Sequence, residues 1–186
     1  MRIVAGAWRG RTLIAPPGTD TRPTADRVRQ ALFDILMHAP WAGRSLIEGA
    51  SVLDVFAGTG ALGLEALSRG AGRATFVEHA RPALAALRAN IAACRAEERC
   101  TVLPVDALAV PKGESADIVF LDPPYGQDLV ARTLVRLRAA GRLTGESLIV
   151  AETGRDEPPP VESPLAERVH GAARVTIWRM SGETQG

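Results

Sequence analysis

The chain has 186 residues, 46% of them hydrophobic and 23% charged, with a formal net charge of +1. This is about one domain's length, enough to bury a core without disulfides or metals, and the composition excludes disorder over most of it. No apolar run nears the ~18 residues of a membrane span, MRIVAGAWRGR lacks a signal-peptide core, and Cys94 and Cys100, the only cysteines, suit a reducing cytoplasm better than a disulfide framework or zinc cluster.

Charge is unevenly placed. Residues 1–30 carry six Arg and two Asp, a balance of +4, and the remainder carries −3. A basic arm on a mildly acidic body fits a polyanionic partner met at one end, and equally fits a solvated face. Within the arm, Ile3–Ala5 and Arg11–Ile14 read as two short strands around Gly6 and Gly10. A Pro-, Gly- and Thr-rich loop runs to Pro23. Thr24 is then the expected N-cap of a helix whose apolar face is Val28, Leu32, Ile35 and Leu36, leaving Arg27, Arg29 and Asp34 near solvent or a ligand.

From Ser51 strands and helices alternate. Strands are expected at Ser51–Phe56, Thr75–Glu78, Cys100–Pro104, Ile118–Leu121 and Ser147–Ala151, and helices at Ala61–Ser68, Pro82–Ala93 and Leu129–Ala140. This order implies a parallel sheet with helices on both faces, and the apolar runs at Val52–Val55 and Ile118–Leu121 suit strands buried on both faces. The proline-rich residues 154–164 read as a surface loop. Arg168–His170 and Arg174–Met180 read as a closing antiparallel hairpin at the sheet edge, and residues 181–186 as a frayed tail.

The first chemical constellation is Asp54-Val55-Phe56-Ala57-Gly58-Thr59-Gly60-Ala61-Leu62-Gly63, a G-x-G-x-x-G between strand and helix. Such a loop lets a ligand approach backbone N–H groups at a helix N-terminus. Glu78 lies at the end of the next strand, where an acid can bind ribose hydroxyls. NAD, FAD and S-adenosylmethionine sites share the glycine pattern. Asp54 favours the last, because it would repel a pyrophosphate and attract an ammonium and a sulfonium; its plainer reading is an acid capping the loop.

The second is Asp122-Pro123-Pro124-Tyr125, directly after a buried strand and so at the ligand-binding edge of a parallel sheet. Two prolines fix the backbone and remove two donors. Asp122 and the Pro123 carbonyl can accept from an exocyclic NH₂, and Tyr125 offers a face for a base to stack on. No nucleophile elbow, P-loop or metal-ligand spacing is present in the sequence. Trp8 reads equally as an RNA-stacking ring or a core aromatic. Asn90 reads as a polar-face residue able to bond a neighbouring loop.

Together these motifs resemble the amino-group branch of the class I S-adenosylmethionine-dependent methyltransferases. Gly6-Ala7-Trp8-Arg9-Gly10-Arg11 and Arg22-Pro23-Thr24-Ala25-Asp26-Arg27-Val28-Arg29 are similar to the bacterial RsmD family, over about Arg2 to Met180. Gln30 departs from that pattern, which carries an acid there. The resemblance implies a Rossmann-like class I methyltransferase fold with a mostly parallel seven-stranded sheet and a short N-terminal hairpin-and-helix extension (residues 1–40) on a catalytic core (residues 50–180), all one domain. It implies methylation of N2 of guanine 966 in 16S ribosomal RNA, naked or within an assembling small subunit, by a cytoplasmic monomer without metal. Cofactor contacts would come from Asp54, Phe56, Gly58, Thr59, Gly60, Glu78, His79, Asp106 and Ala107. Asp122, Pro123, Pro124 and Tyr125 would hold the amine, and Arg9, Arg11, Arg22, Thr24 and Arg27 the RNA. The rivals are adenine N6 methylation in DNA, NAD-dependent redox chemistry, and a binding module without catalysis.

Overall fold

Strands with apolar side chains on both faces need cover on both, and the computed structural model of the chain supplies it. It describes residues 1–16, 23–42 and 45–180. Among these, β1 (Ser51–Val55), β2 (Arg73–Val77), β3 (Cys100–Leu103), β4 (Ile118–Leu121), β5 (Leu148–Gly154), β6 (Ala166–His170) and β7 (Ala173–Arg179) form one sheet in the order β3-β2-β1-β4-β5-β7-β6. Pairing is parallel from β3 to β5 and antiparallel from β5 through β7 to β6. The helices are α1 (Pro23–His38), α2 (Ala61–Ser68), α3 (Arg81–Cys94) and α4 (Leu129–Ala139).

Alternation along each strand divides the core in two. Val52, Ala74, Phe76, Ile118, Phe120, Leu148 and Val150 pack with Leu32, Phe33 and Leu36 of α1, Leu64 and Leu67 of α2, and Leu87 and Ile91 of α3. On the other face Leu53, Val55, Val77, Val119, Leu121 and Ile149 pack with Val130 and Leu137 of α4. Strand order reverses between β1 and β4, so their carboxyl ends flank the crevice where ligands bind in open α/β sheets.

Three expectations need correction. The N-terminal segments pair as an irregular hairpin rather than as two regular strands: Arg2 and Thr12 bridge, the N–H groups of Ile3, Leu13 and Gly10 donate to the carbonyls of Arg11, Met1 and Ile3, and Gly6–Trp8 is a 3₁₀ turn. Glu65, fully buried on α2, anchors the first segment. Its carboxylate accepts from the Val4 N–H at 2.8 Å and the Ala5 N–H at 3.0 Å. Gly6 then turns with φ +80°, and a Cβ there would lie 1.9 Å from the Ser68 carbonyl oxygen. Helix α1 begins at Pro23, which places Thr24 inside its first turn rather than at the N-cap. Arg29 is buried, not solvent-facing. It donates to Asp26 at 2.8 Å and lies 3.6 Å from Glu65.

β5 extends three residues beyond its expected end because β7 pairs along it as far as Gly154 with Ala173. This makes Glu152 a strand residue. Residues 17–22, with Arg22, and the tail 181–186 lie outside the described residues.

Glu65 ties arm, α1 and α2 together. Besides the two backbone donors it accepts from Arg69 Nε at 2.7 Å, and both arginines are almost wholly buried. Removing one member of such a set strands the others, at about 3–5 kcal/mol. Glu65→Ala is therefore expected to lower the melting temperature by roughly 6 °C or more, at about 2–4 °C per kcal/mol for a domain of this size. Calorimetry checks this; a drop under 2 °C contradicts it.

Candidate active site

Parallel register sets the site. Val55 pairs with Val77 and with Leu121, Val77 with Leu103, and Leu121 with Ala151. One residue further on each of the central strands stand Phe56, Glu78, Asp122 and Glu152, and Asp106 follows shortly after β3. The four acids among these therefore share the carboxyl edge of the sheet, along with Asp54, set two residues deeper in β1.

Two cavities open along this edge. One, of about 700 Å³, is lined by Phe56, Glu78, His79, Asp106, Ala107 and the Asp122–Tyr125 segment. The other, of about 680 Å³, is lined by residues including Asp54, Gly58, Thr59, Asp122, Tyr125 and Glu152. Phe56, Asp122 and Tyr125 belong to both walls, so the two spaces adjoin. Their size suits a nucleoside-sized ligand with an acceptor beside it. Phe56 adopts φ 64°, a backbone conformation that non-glycine residues rarely hold and that concentrates at functional sites.

The acids differ in environment. Asp54 is 2% exposed, and its Oδ2 accepts from the Gly63 N–H at 2.9 Å. It thus caps α2 as well as lining the cavity. Gly63 permits this approach, since a Cβ there would fall 2.4 Å from the Phe76 ring and 3.2 Å from Asp54 Oδ2. Burial pushes the Asp54 pKa up to about 8; the Gly63 hydrogen bond opposes this, and the charges of Asp122 and Glu78 add to it. Glu78 accepts from the Gly58 N–H at 2.9 Å on one oxygen and from His79 and Ala80 at 2.8 and 2.7 Å on the other. It clamps the glycine loop to the start of α3. Asp106 is exposed and accepts from the Leu108 N–H at 2.7 Å on Oδ1.

Asp122 reaches solvent through the cavity, yet protein encloses it on most sides. That enclosure, with the Glu152 charge beside it, raises its pKa to about 7. Tyr125 donates its hydroxyl to Glu152 Oε1. Burial and that hydrogen bond raise the phenol's pKa. Pro123 is buried and Pro124 exposed.

Of the residues expected to meet RNA, Arg9 and Arg27 are exposed, and Arg11 is exposed but donates to the Ala93 carbonyl. Trp8 packs partly against the core with the Arg99 guanidinium 5.0 Å over its ring. Asn90 is buried rather than on a polar face. It bonds Ile14 through both its N–H and carbonyl and donates to the Thr59 carbonyl, joining the arm to the glycine loop. Gln30 donates to Asp34 and accepts from Arg69.

Sequence reasoning missed Glu152 and the place of Arg29 in the cavity wall. Glu152 carries the signal that revealed Asp122, an acid directly after an apolar run, here Leu148–Ala151. No Pro-Pro pair marks it, and the sequence pattern ends that strand at Ala151, one residue before it.

Asp54 gives a pH prediction. Its pKa is about 8 when folded and 3.8 unexposed to the fold, so the folded chain holds the proton more tightly. Stability from this group is present below about pH 4 and is lost progressively as pH rises toward 8. Asp54→Asn removes that loss. In ligand-free protein at pH 8 it should melt above wild type by more than about 2–4 °C, the shift of 1 kcal/mol, and the gap should narrow toward pH 4. Thermal unfolding at both values checks this; an equal gap at both contradicts it.

Residues 1–178 match the family described as "Conserved hypothetical protein 95". The chain is 43% identical over 155 residues to ribosomal RNA small subunit methyltransferase D of Escherichia coli K12, covering 82% of this chain and 74% of that protein. To the protein of that name from Haemophilus influenzae it is 37% identical over 163 residues, 85% of this chain and 81% of the relative. Among solved structures, yhhF of Escherichia coli superposes with a TM-score of 0.83 at 37% identity, over 97% of this chain and 98% of that one. An RNA methyltransferase from Salinibacter ruber, solved in complex with S-adenosyl-L-homocysteine, shares the fold with a TM-score of 0.60 at 16% identity, over 89% of this chain and 95% of that one. With its seven-stranded class I methyltransferase sheet, this chain belongs to the ribosomal RNA small subunit methyltransferase D family.

Proposed function

We propose that the protein methylates ribosomal RNA, using S-adenosylmethionine, on the exocyclic N2 of a guanine in the small-subunit RNA, guanine 966 as in the family it resembles. The observation that carries the reading is the line of acids along one sheet edge, with Asp122-Pro123-Pro124-Tyr125 at the switch between β1 and β4.

The residues present fit the cofactor. Asp54 is a buried acid with no cation beside it among its described partners; burial, with the charges of Asp122 and Glu78, raises its pKa, and a cationic ligand beside it favours its ionised form. Gly58 and Thr59 border the space next to it, while Gly60 packs against Leu87 and Phe76 at the start of α2. Glu78 keeps lone pairs for ribose hydroxyls beyond its three backbone bonds, Asp106 keeps Oδ2 for an adenine amino group, and Phe56, His79 and Ala107 complete the wall. When bound, the cofactor supplies an electrophilic methyl group on sulfur.

The chain's own task is to place an amine. The NH₂ of guanine is a weak nucleophile because its lone pair is delocalised into the ring. Asp122 and the Pro123 carbonyl accept its two hydrogens and hold the nitrogen in line. Such positioning is worth roughly 7–11 kcal/mol. Pro124 stiffens the segment, and Tyr125, tethered through its hydroxyl, leaves a ring face for the base. Asp122 then takes the proton released after transfer, for which a pKa near neutrality is suited. The RNA backbone is met by Arg9, Arg11, Arg22, Thr24 and Arg27 of the arm, in the cytoplasm where ribosomes are built.

Incubation with radiolabelled S-adenosylmethionine and RNA or DNA, followed by nucleoside analysis, tests the whole reading. N2-methylguanosine from small-subunit RNA is expected; N6-methyladenine from DNA overturns it. Asp122→Ala should lose roughly 10²–10³-fold in turnover while its dissociation constant for S-adenosylmethionine stays within a few-fold. In wild type, kcat/KM should rise tenfold per pH unit up to about pH 7, as Asp122 loses its proton, and then level off. A flat profile from pH 5.5 to 8 removes Asp122 from the acceptor role.

The arm gives a separate test. Arg9 and Arg27 are exposed, so their loss perturbs little else. Each neutralised phosphate adds a slope of about −0.7 to log affinity against log salt on single strands. Arg9→Ala with Arg27→Ala should flatten that slope by roughly 1.4 in total, with cofactor affinity unchanged. An unchanged slope removes both residues from the RNA contact.

A further inference from the structure

The acceptor end of the cavity holds one carboxylate more than an amine requires. Asp122 and the Pro123 carbonyl account for the two hydrogens of an NH₂. Glu152 stands beside them, one residue past the paired positions Leu121 and Ala151, where parallel neighbours project to the same face. It lines the same cavity as Asp122, Tyr125 and Val150. Its Oε1 accepts from the Tyr125 hydroxyl, and its Oε2 accepts no hydrogen bond among the described residues. The tyrosine thus restrains the carboxylate while leaving one oxygen for a ligand.

Base chemistry says which ligand suits two adjacent acceptors. Guanine presents N2–H₂ and N1–H side by side on its Watson–Crick edge. Adenine presents N6–H₂ beside an N1 lone pair, which a carboxylate repels. An extruded base is read along this edge. We infer that Glu152 is the specificity-determining residue for guanine, its free oxygen receiving N1–H while Asp122 receives the N2 amine. This rests on the guanine reading above. The register supports it independently: Asp122 and Glu152 each stand one residue past the paired Leu121 and Ala151 and line one cavity, so two N–H donors side by side can meet both carboxylates.

The test compares target RNA carrying guanine or 2-aminopurine at the methylated position, introduced by ligation and assembled into subunits where naked RNA is not methylated. 2-Aminopurine keeps the 2-NH₂ but has a lone pair at N1. Wild type should lose about 10²-fold or more in kcat/KM on 2-aminopurine, since a site built to bond an N–H rejects an analogue lacking it. In Glu152→Gln, whose amide can donate to N1, guanine should fall by about 10²-fold, 2-aminopurine should hold or rise, and their ratio should come within about tenfold. A merely structural role would depress both bases together. Melting temperature and S-adenosylmethionine affinity of the variant are measured alongside. The wild-type comparison needs no variant: equal rates on the two bases overturn the inference even if Glu152→Gln does not fold. A wild-type preference that survives unchanged in Glu152→Gln overturns the assignment to Glu152 but leaves guanine methylation standing. Methyl transfer to adenine and not to guanine overturns both.

Discussion

Negative charge gathered at one edge of a parallel sheet is the constraint on which this molecule turns. Asp54, Glu78, Asp122 and Glu152 arrive there because β1, β2, β4 and β5 run parallel in register: Asp54 lies just inside the carboxyl end of β1, Glu78 and Asp122 one residue past the ends of β2 and β4, and Glu152 one residue past the last pair of β4 with β5. Backbone donors from Gly58, His79, Ala80 and Gly63 answer part of that charge. No arginine or lysine is paired with Asp54 or Asp122 among the described residues, and burial, with the charges of neighbouring carboxylates, drives the pKa of each up. A cavity with this character favours cationic ligands and N–H-rich ones over phosphates, and so separates a methyl-donor site from a dinucleotide site built on the same glycine loop.

Glu65 shows the opposite solution to the same problem. It is as deeply buried as Asp54, but two arginines and two backbone N–H groups surround it. Charge that is answered inside the protein serves the architecture: it ties the arm's backbone to α2 and brings α1 against α2. Charge left to be answered by a ligand serves chemistry. Arg29 belongs to both settings, bonded within the Glu65 network and lining the wall of the cavity that holds Asp122. Asn90 makes a similar join on the other side, between the arm and the glycine loop. The basic arm is therefore braced against the chemical site at two points.

Local pattern was enough for the repeating part of the fold. Ile118–Leu121 and Ala61–Ser68 fall where the apolar runs and helical periodicity put them, because a strand buried on both faces and an amphipathic helix each write their period into a few consecutive residues. Asp54, Glu78 and Asp122 were legible for the same reason: each lies next to a strand end or a glycine turn, and the sheet converts that position into a shared edge. The arm was not legible. Its alternation and glycines describe a hairpin of regular strands, whereas Val4 and Ala5 donate to Glu65, some sixty residues away in sequence.

The sequence by itself determined the parallel α/β architecture, the glycine loop and the acid-proline-proline-tyrosine segment, since these depend on neighbouring residues and on strand order. Tertiary structure alone decided the burial of Arg29, the bend of the arm and the presence of Glu152 in the site. Each of these depends on a partner distant in the chain: Arg29 on Glu65, the arm on α2, and Glu152 on β7, whose antiparallel pairing carries β5 far enough to set that carboxylate beside Asp122.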